Sequence, residues 1–186
     1  MTRLSNKRLE SDAWKPTRAS AAPLRRTSVE PCNSAANTLS GKGGNDTLAG
    51  GQGKDVLIGG TGNDAFLFSL GDGQDVVQDS SGIADKILYD AGINPLDLVI
   101  SRQVNDLRIA LHGTTDRVTI ENWYSNPAAA QVETIQAGGQ TLLNTQVDQL
   151  IQAMASFSQQ TGLSWDQAIE QRPQEVQAIL AASWQS

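Results

Sequence analysis

Residues 41–67 read GKGGNDTLA (41–49), GGQGKDVLI (50–58) and GGTGNDAFL (59–67), nine-residue units joined end to end. Glycine recurs at Gly41, Gly50 and Gly59, and again at Gly44, Gly53 and Gly62. Aspartate recurs at Asp46, Asp55 and Asp64, and a large apolar residue at Leu48, Leu57 and Phe66. Such a period decides the architecture before any single residue does, because a repeat buries its apolar face only by stacking on its neighbours. The glycine-rich half of each unit suits a tight turn with positive φ and close backbone approach. The three residues after it suit a short strand with its middle residue pointing inward. Two units complete one coil of about 18 residues, and coils stack at the ~4.8 Å spacing of paired strands.

Stacking places equivalent residues of alternate units above one another, so Asp46 lies over Asp64 along one edge. Two carboxylates ~5 Å apart repel by roughly 1 kcal/mol in water and ~3–4 kcal/mol at an effective dielectric of 20. A cation between them removes the conflict. The turns offer carboxylates and main-chain carbonyls, with neither thiolate nor imidazole. A flexible, all-oxygen site of that kind selects calcium over magnesium or zinc. A phosphate cradle is excluded: Lys42 is followed by Gly43 where a P-loop needs Ser or Thr.

Outward from the repeat the pattern wears. Residues 32–40 form a decayed unit, with Asn37 in the aspartate position and Leu39 in the apolar one. After Phe68 the period breaks into GDGQDVVQD (71–79). On an 18-residue coil Asp55 meets Asn37 below and position 73, a glycine, above. Asp72 and Asp75 are then the nearest acids and the candidate ligands that close the opposite edge. The other readings of that pair are a plain turn and an acid–base couple, for which no cleft is discernible. Residues 85–142 alternate like half-buried strands. Leu107, Ile109 and Leu111 share one face, as do Val118 and Ile120, and Gly138-Gly139 suits a hairpin turn. The tail reads as helix: Thr145 as a cap for a face of Val147, Leu150, Ile151, Met154 and Phe157, Ser164 with Gln167 as a capping box, and Pro173 as the opening of a last helix.

The chain has 186 residues and a net charge of −6, with one cysteine and one histidine. Cys32 has no intrachain partner, and His112 by itself supports neither a histidine metal site nor a nucleophilic triad. Residues 1–31 carry seven basic and three acidic groups, leaving the rest of the chain at −10. An acidic body hosts cations and does not favour nucleic acid, whose affinity comes largely from Lys and Arg on phosphates. No apolar run is long enough for a membrane span, and the tail carries only Arg172 to attract anionic lipid. Residues 1–31 hold no signal-peptide core. They read as a disordered basic leader, with an organellar transit peptide or a start inside a longer gene as the other readings. Trp123 and Tyr124 read as core aromatics in preference to a carbohydrate platform. His112 reads as an ordinary surface or core histidine.

The three units resemble the repeats-in-toxin (RTX) nonapeptide GGxGxDxUx, a calcium-binding motif. Only Lys42, at the second glycine position, departs from it. Segment 71–79, DRVTIENWY (116–124) and the ending Ser183-Trp184 resemble the carboxy-terminal part of RTX proteins, so the likeness covers about residues 32–186. It implies a parallel β-roll with Ca2+ between the turns, held by aspartates and turn carbonyls. Position by position, the aspartates are Asp46, Asp55 and Asp64, and the glycines are Gly41, Gly43, Gly44, Gly50, Gly51, Gly53, Gly59, Gly60 and Gly62. It also implies export by type I secretion machinery that reads an uncleaved signal near the carboxy terminus.

The expected fold is mainly β: a short parallel β-roll over 32–80, a β-rich cap over 81–142 and a helical tail over 143–186 that doubles as secretion signal. The expected function is calcium-dependent folding of a secreted, extracellular, non-catalytic module. The alternative is the remnant of a larger RTX hydrolase, toxin or adhesin whose active part is absent.

Overall fold

The computed structural model describes residues 27–29 and 34–186. Each glycine-rich turn reverses the chain, so successive strands go to two different sheets. Strands β1 (Thr27–Val29), β3 (Thr47–Ala49), β5 (Ala65–Phe68) and β7 (Lys86–Tyr89) lie parallel in the first. Strands β2 (Thr38–Gly43), β4 (Val56–Thr61) and β6 (Gln74–Gln78) lie parallel in the second. The period sets the register: Leu39 pairs with Leu57 and Leu48 with Phe66, each 18 residues on. Because side chains alternate along a strand, Leu48, Leu57 and Phe66 all turn inward and are fully buried between the sheets. They belong to one core with Leu39, Val77 and Ile87.

Past Phe68 the spacing lengthens. Val56 pairs with Val76, 20 residues on, and Ala65 with Lys86, 21 residues on. Inward-facing residues must still meet, so the turns absorb the added residues. This corrects the expected partner above Asp55. Gly73 stacks on Gly53, and Asp75 takes the level above Asp55.

Both sheets continue beyond the repeat. Strand β10 (Arg117–Ile120) adds parallel to β6, and β11 (Thr134–Ala137) adds parallel to β7. Antiparallel strands then finish each side: β9 (Asp106–Leu111) and β8 (Leu98–Gln103) on β10, and β12 (Gln140–Leu143) on β11. The result is two mixed six-stranded sheets. Gly138 and Gly139 close the last hairpin at φ 54° and 76°, a left-handed pair that glycine adopts without penalty. Leu107, Ile109, Leu111, Val118 and Ile120 are buried, as their alternation requires.

A single-turn α1 (Pro127–Ala130) precedes β11, and three helices follow β12. Helix α2 (Asn144–Thr161) buries Val147, Leu150, Met154 and Phe157, with Ile151 packed against the same core. It starts ahead of Thr145, which is therefore not its cap; the Gln146 side chain accepts the Leu143 N–H instead, at 3.4 Å. Gly162, at φ 72°, ends it. The Ser164–Gln167 capping box opens α3 (Trp165–Gln171), and Pro173 opens α4 (Pro173–Ala181). Trp184 is buried, and Gln185 exchanges two backbone hydrogen bonds with Thr141. None of the helices among the described residues is long and apolar enough to cross a membrane. Of the expected disordered leader, Thr27–Val29 instead form a strand on β3. Its other residues, and Cys32, lie outside the described residues.

Candidate metal centre

The turns between the sheets carry two ladders of carboxylates. On one edge the backbone N–H of Asp46 donates to Asp64 Oδ1 at 2.8 Å, and that of Asp64 to Asp85 Oδ1 at 2.6 Å. The Asp85 N–H in turn donates to Glu133 Oε2 at 2.6 Å. On the other edge Asn37 N–H donates to Asp55 Oδ1 at 2.7 Å, and Asp55 N–H to Asp75 Oδ1 at 2.9 Å. Each Asp55, Asp64 and Asp85 side chain thus uses one oxygen to hold the level beneath it. The other oxygen is buried and has no hydrogen-bond partner among the described residues, as do both carboxylate oxygens of Asp46.

Asp46, Asp55, Asp64, Asp75 and Asp85 are all 3% exposed or less. The ion pairs among the described residues involve His112 and Arg172, and none reaches a turn aspartate. A buried carboxylate with neither cation nor donor is costly by several kcal/mol, so this arrangement calls for a bound cation. No three His, Cys, Asp or Glu side chains among the described residues close on a single point. The carboxylates meet in pairs, so an ion between turns would need main-chain carbonyls for its remaining ligands. That donor set is all oxygen and suits Ca2+.

The glycines keep this space open. A Cβ on Gly41 would stand 2.6 Å from Gly59 O and 2.7 Å from Asp46 Oδ2, and one on Gly59 would stand 2.5 Å from Asp64 Oδ2. A Cβ on Gly50 would meet the Asp55 carboxylate in the same way. The first glycine of each unit is thus the floor under that unit's own aspartate. The second position needs positive φ: Gly51 adopts 76°, Gly60 107°, and Lys42, the one departure from the motif, is held at 72°. Gly44, Gly53 and Gly62 are left-handed as well, whereas Gly43 lies in a strand against Thr61.

Burial pushes the carboxyls up, and neighbouring acids add to it. Asp64 is raised by desolvation first, with the Asp46 N–H working against it and the Asp46 charge with it. Asp85 is raised chiefly by desolvation. Desolvation, with further contributions from adjacent carboxylates, lifts Asp75 and Asp79 to about 7. A cation reverses each of these pressures.

The structure brings together Asp46 with Asp64, and Asp55 with Asp75. Asp72 serves its own turn: its Oδ2 accepts the Ser69 N–H at 2.7 Å. Sequence reasoning missed Asp79, Asp85 and Glu133. The signal for the first two was DSSGIAD (79–85), an acid-ended turn with Gly82, once coils longer than 18 residues are allowed. Trp123 is buried, and the Arg102 guanidinium covers the Tyr124 ring 4.0 Å from its centre, so the pair is no open platform. His112 Nδ1 pairs with Asp166 Oδ1 on α3 at 2.9 Å, a surface contact between helix and sheet.

Two families match the chain. Residues 33–66 match the RTX calcium-binding nonapeptide repeat in four copies, which includes the decayed unit around Asn37. Residues 106–139, from β9 to the hairpin glycines, match the haemolysin-type calcium binding protein related domain. Residues 33–66 thus match RTX haemolysin-type repeats, and repeats of this family bind Ca2+.

Proposed function

We propose that Ca2+ binding completes the fold of these RTX repeats and so makes folding conditional on calcium outside the cell. The observation that carries this reading is the pair of ladders: buried carboxylate oxygens stacked with no cationic side chain among the described residues to balance them. Asp46 and Asp64 hold one ion with turn carbonyls over the Gly41 and Gly59 floors. Asp55 and Asp75 hold the opposite edge. The parallel strands of the repeat are then a short parallel β-roll, and the following strands and helices are its cap. Bound Ca2+ supplies the positive charge on which the stacked turns depend. The chain supplies the oxygens, fixes their spacing through the Asp N–H donors, and excludes water through the Leu48, Leu57 and Phe66 core.

At cytosolic calcium levels, carboxylate repulsion and glycine entropy keep the repeat open. Outside, at millimolar calcium, affinities of ~10⁻⁴–10⁻³ M are enough to close it. The module is non-catalytic, extracellular, and exported by type I machinery that reads its tail. Because Val147, Leu150, Phe157, Trp165 and Trp184 are buried in the folded chain, the tail is readable as a signal only before it packs as a cap.

Far-ultraviolet circular dichroism of the purified chain, titrated with Ca2+ and then chelator, tests the reading. A reversible gain of β signal between ~0.1 and 10 mM is expected, absent with Mg2+ and lost in Asp64→Ala. A spectrum indifferent to calcium overturns it. Deletion of residues 143–186 in cells carrying a type I exporter tests the secretion role, with loss of export the expected result.

A further inference from the structure

The turn 79–85, DSSGIAD, carries no recognisable nonapeptide, yet it stacks on the last clean one. Ile58 pairs with Gln78 and Thr61 bridges Ser81, so Asp79 stands over Gly59. An acid occupies a level at which each clean repeat has glycine. Asp79 Oδ1 accepts the Gly60 N–H at 3.2 Å, while Asp79 Oδ2 is buried without a hydrogen-bond partner among the described residues. Asp79 Oδ1 and Asp64 Oδ2 each lie 2.5 Å from the point where a Cβ of Gly59 would be, so the two carboxylates converge over the Gly59 backbone. Asp64 and Asp85 are almost wholly shielded from solvent, and the Oδ2 of each also lacks a partner among the described residues. The Ser80 hydroxyl pins the turn by donating to Gly60 O at 2.5 Å.

We propose that Asp79 joins Asp64 to form a further divalent-cation site above the repeat, with a carboxylate at a level where the turns below have only glycine. The nonapeptide places one acid at each turn and none above the first glycine. Here the repeat's own Asp64 is joined by a carboxylate from that extra level. Affinity for a hard cation depends on its charged ligands, so removing the Asp79 carboxylate weakens this ion and leaves those between the glycine-floored turns. The proposal rests on the calcium reading above and deepens it.

Calcium binding to the full chain, followed by calorimetry together with equilibrium dialysis, tests it on wild type, Asp79→Asn, Asp79→Gly and Asp46→Asn. Asp79→Asn retains a carbonyl oxygen for the Gly60 N–H and replaces the other oxygen with an amide nitrogen, which does not ligate calcium. The expected result is that one ion is lost, or weakened roughly ten-fold or more, while the remaining sites and the near-ultraviolet spectrum of the calcium-loaded chain are unchanged. Asp46→Asn should spare that ion and weaken a different one. Asp79→Gly, which restores the residue of the clean repeats, should behave like Asp79→Asn and decides the matter if the amide variant does not fold. Wild-type counts and affinities in the Asp79 variants overturn the proposal and leave the calcium reading standing. A wild-type chain that binds no calcium overturns both.

Discussion

The repeat half and the closing half of this molecule pair strands in the same two sheets but neutralise their turns by opposite means. In the repeat, the turns bury aspartates whose second oxygens find no partner among the described residues. In the closing half, Gly138-Gly139 turn a hairpin, Ser164 caps α3, Gly162 ends α2, and charges pair at the surface as His112–Asp166 and Arg172–Glu175. The closing half also has the larger side chains in its core, with Trp123, Phe157, Trp165 and Trp184 against Leu39, Leu48, Leu57, Phe66 and Phe68 in the repeat strands. On the proposed reading, local satisfaction and a thick core make one half self-sufficient, and the other half depends on an ion.

The largest effect should come from removing that ion. With chelator, backbone amides of β3, β4 and β5 should exchange with solvent roughly 100-fold or more faster than at 10 mM Ca2+. Amides in the middle of α2 should change far less. Hydrogen exchange read by mass spectrometry resolves the two halves, and equal loss of protection in both would abolish the distinction. Truncating one core aromatic in each half sharpens it. Phe66→Ala and Phe157→Ala should each cost about 3–5 kcal/mol. The first should appear as a higher calcium concentration needed to fold, and the second as a lower melting temperature with and without calcium.

Acidity should act on the halves differently as well. Asp75 and Asp79 are pushed up to about 7 by burial, with adjacent carboxylates adding to the shift. In the metal-free fold they therefore hold protons between about pH 4 and 7 that the unfolded chain has released. Stability of the metal-free fold is present at the acid end of that window and is lost as pH rises through 7. Calcium reverses the direction: its ligands must be ionised, so each proton displaced raises the calcium requirement by up to about ten-fold per pH unit as pH falls below 7. Melting in chelator at pH 5 and 7.5, beside calcium midpoints at pH 6 and 7.5, checks both signs. A calcium midpoint independent of pH would remove these two carboxylates from the binding step.

Much of the repeat was legible because a strict period converts directly into strand register. The stacking of Asp46 on Asp64 and the inward turn of Leu48, Leu57 and Phe66 follow from counting by nine. Counting failed where the turns changed length. Strand pairing depends on hydrogen bonds between β4 and β6 and on Val77 reaching the core, and a turn can add residues without disturbing either. Asp75 and Asp85 fell out of step in sequence while keeping their levels in space, and Asp79 entered at a glycine level. Glu133 was invisible for a stronger reason. It meets Asp85 from 48 residues away, after the chain has run through two antiparallel strands and returned as β11.

The smallest expected effect concerns the one residue that departs from the repeat. Lys42 sits at φ 72° where the other two units place Gly51 and Gly60. A side chain in the left-handed region costs about 1–2 kcal/mol, whereas glycine avoids that strain but gives up more entropy on folding, about 0.5–1 kcal/mol. The difference favours Lys42→Gly by roughly 0.5–1 kcal/mol, and the lower calcium midpoint that follows is the measurement. The gain should be confined to the repeat, with the exchange of α2 and α3 amides unaltered. A loss of stability instead would show that the Lys42 side chain makes a favourable contribution in this acidic turn larger than the backbone strain it imposes.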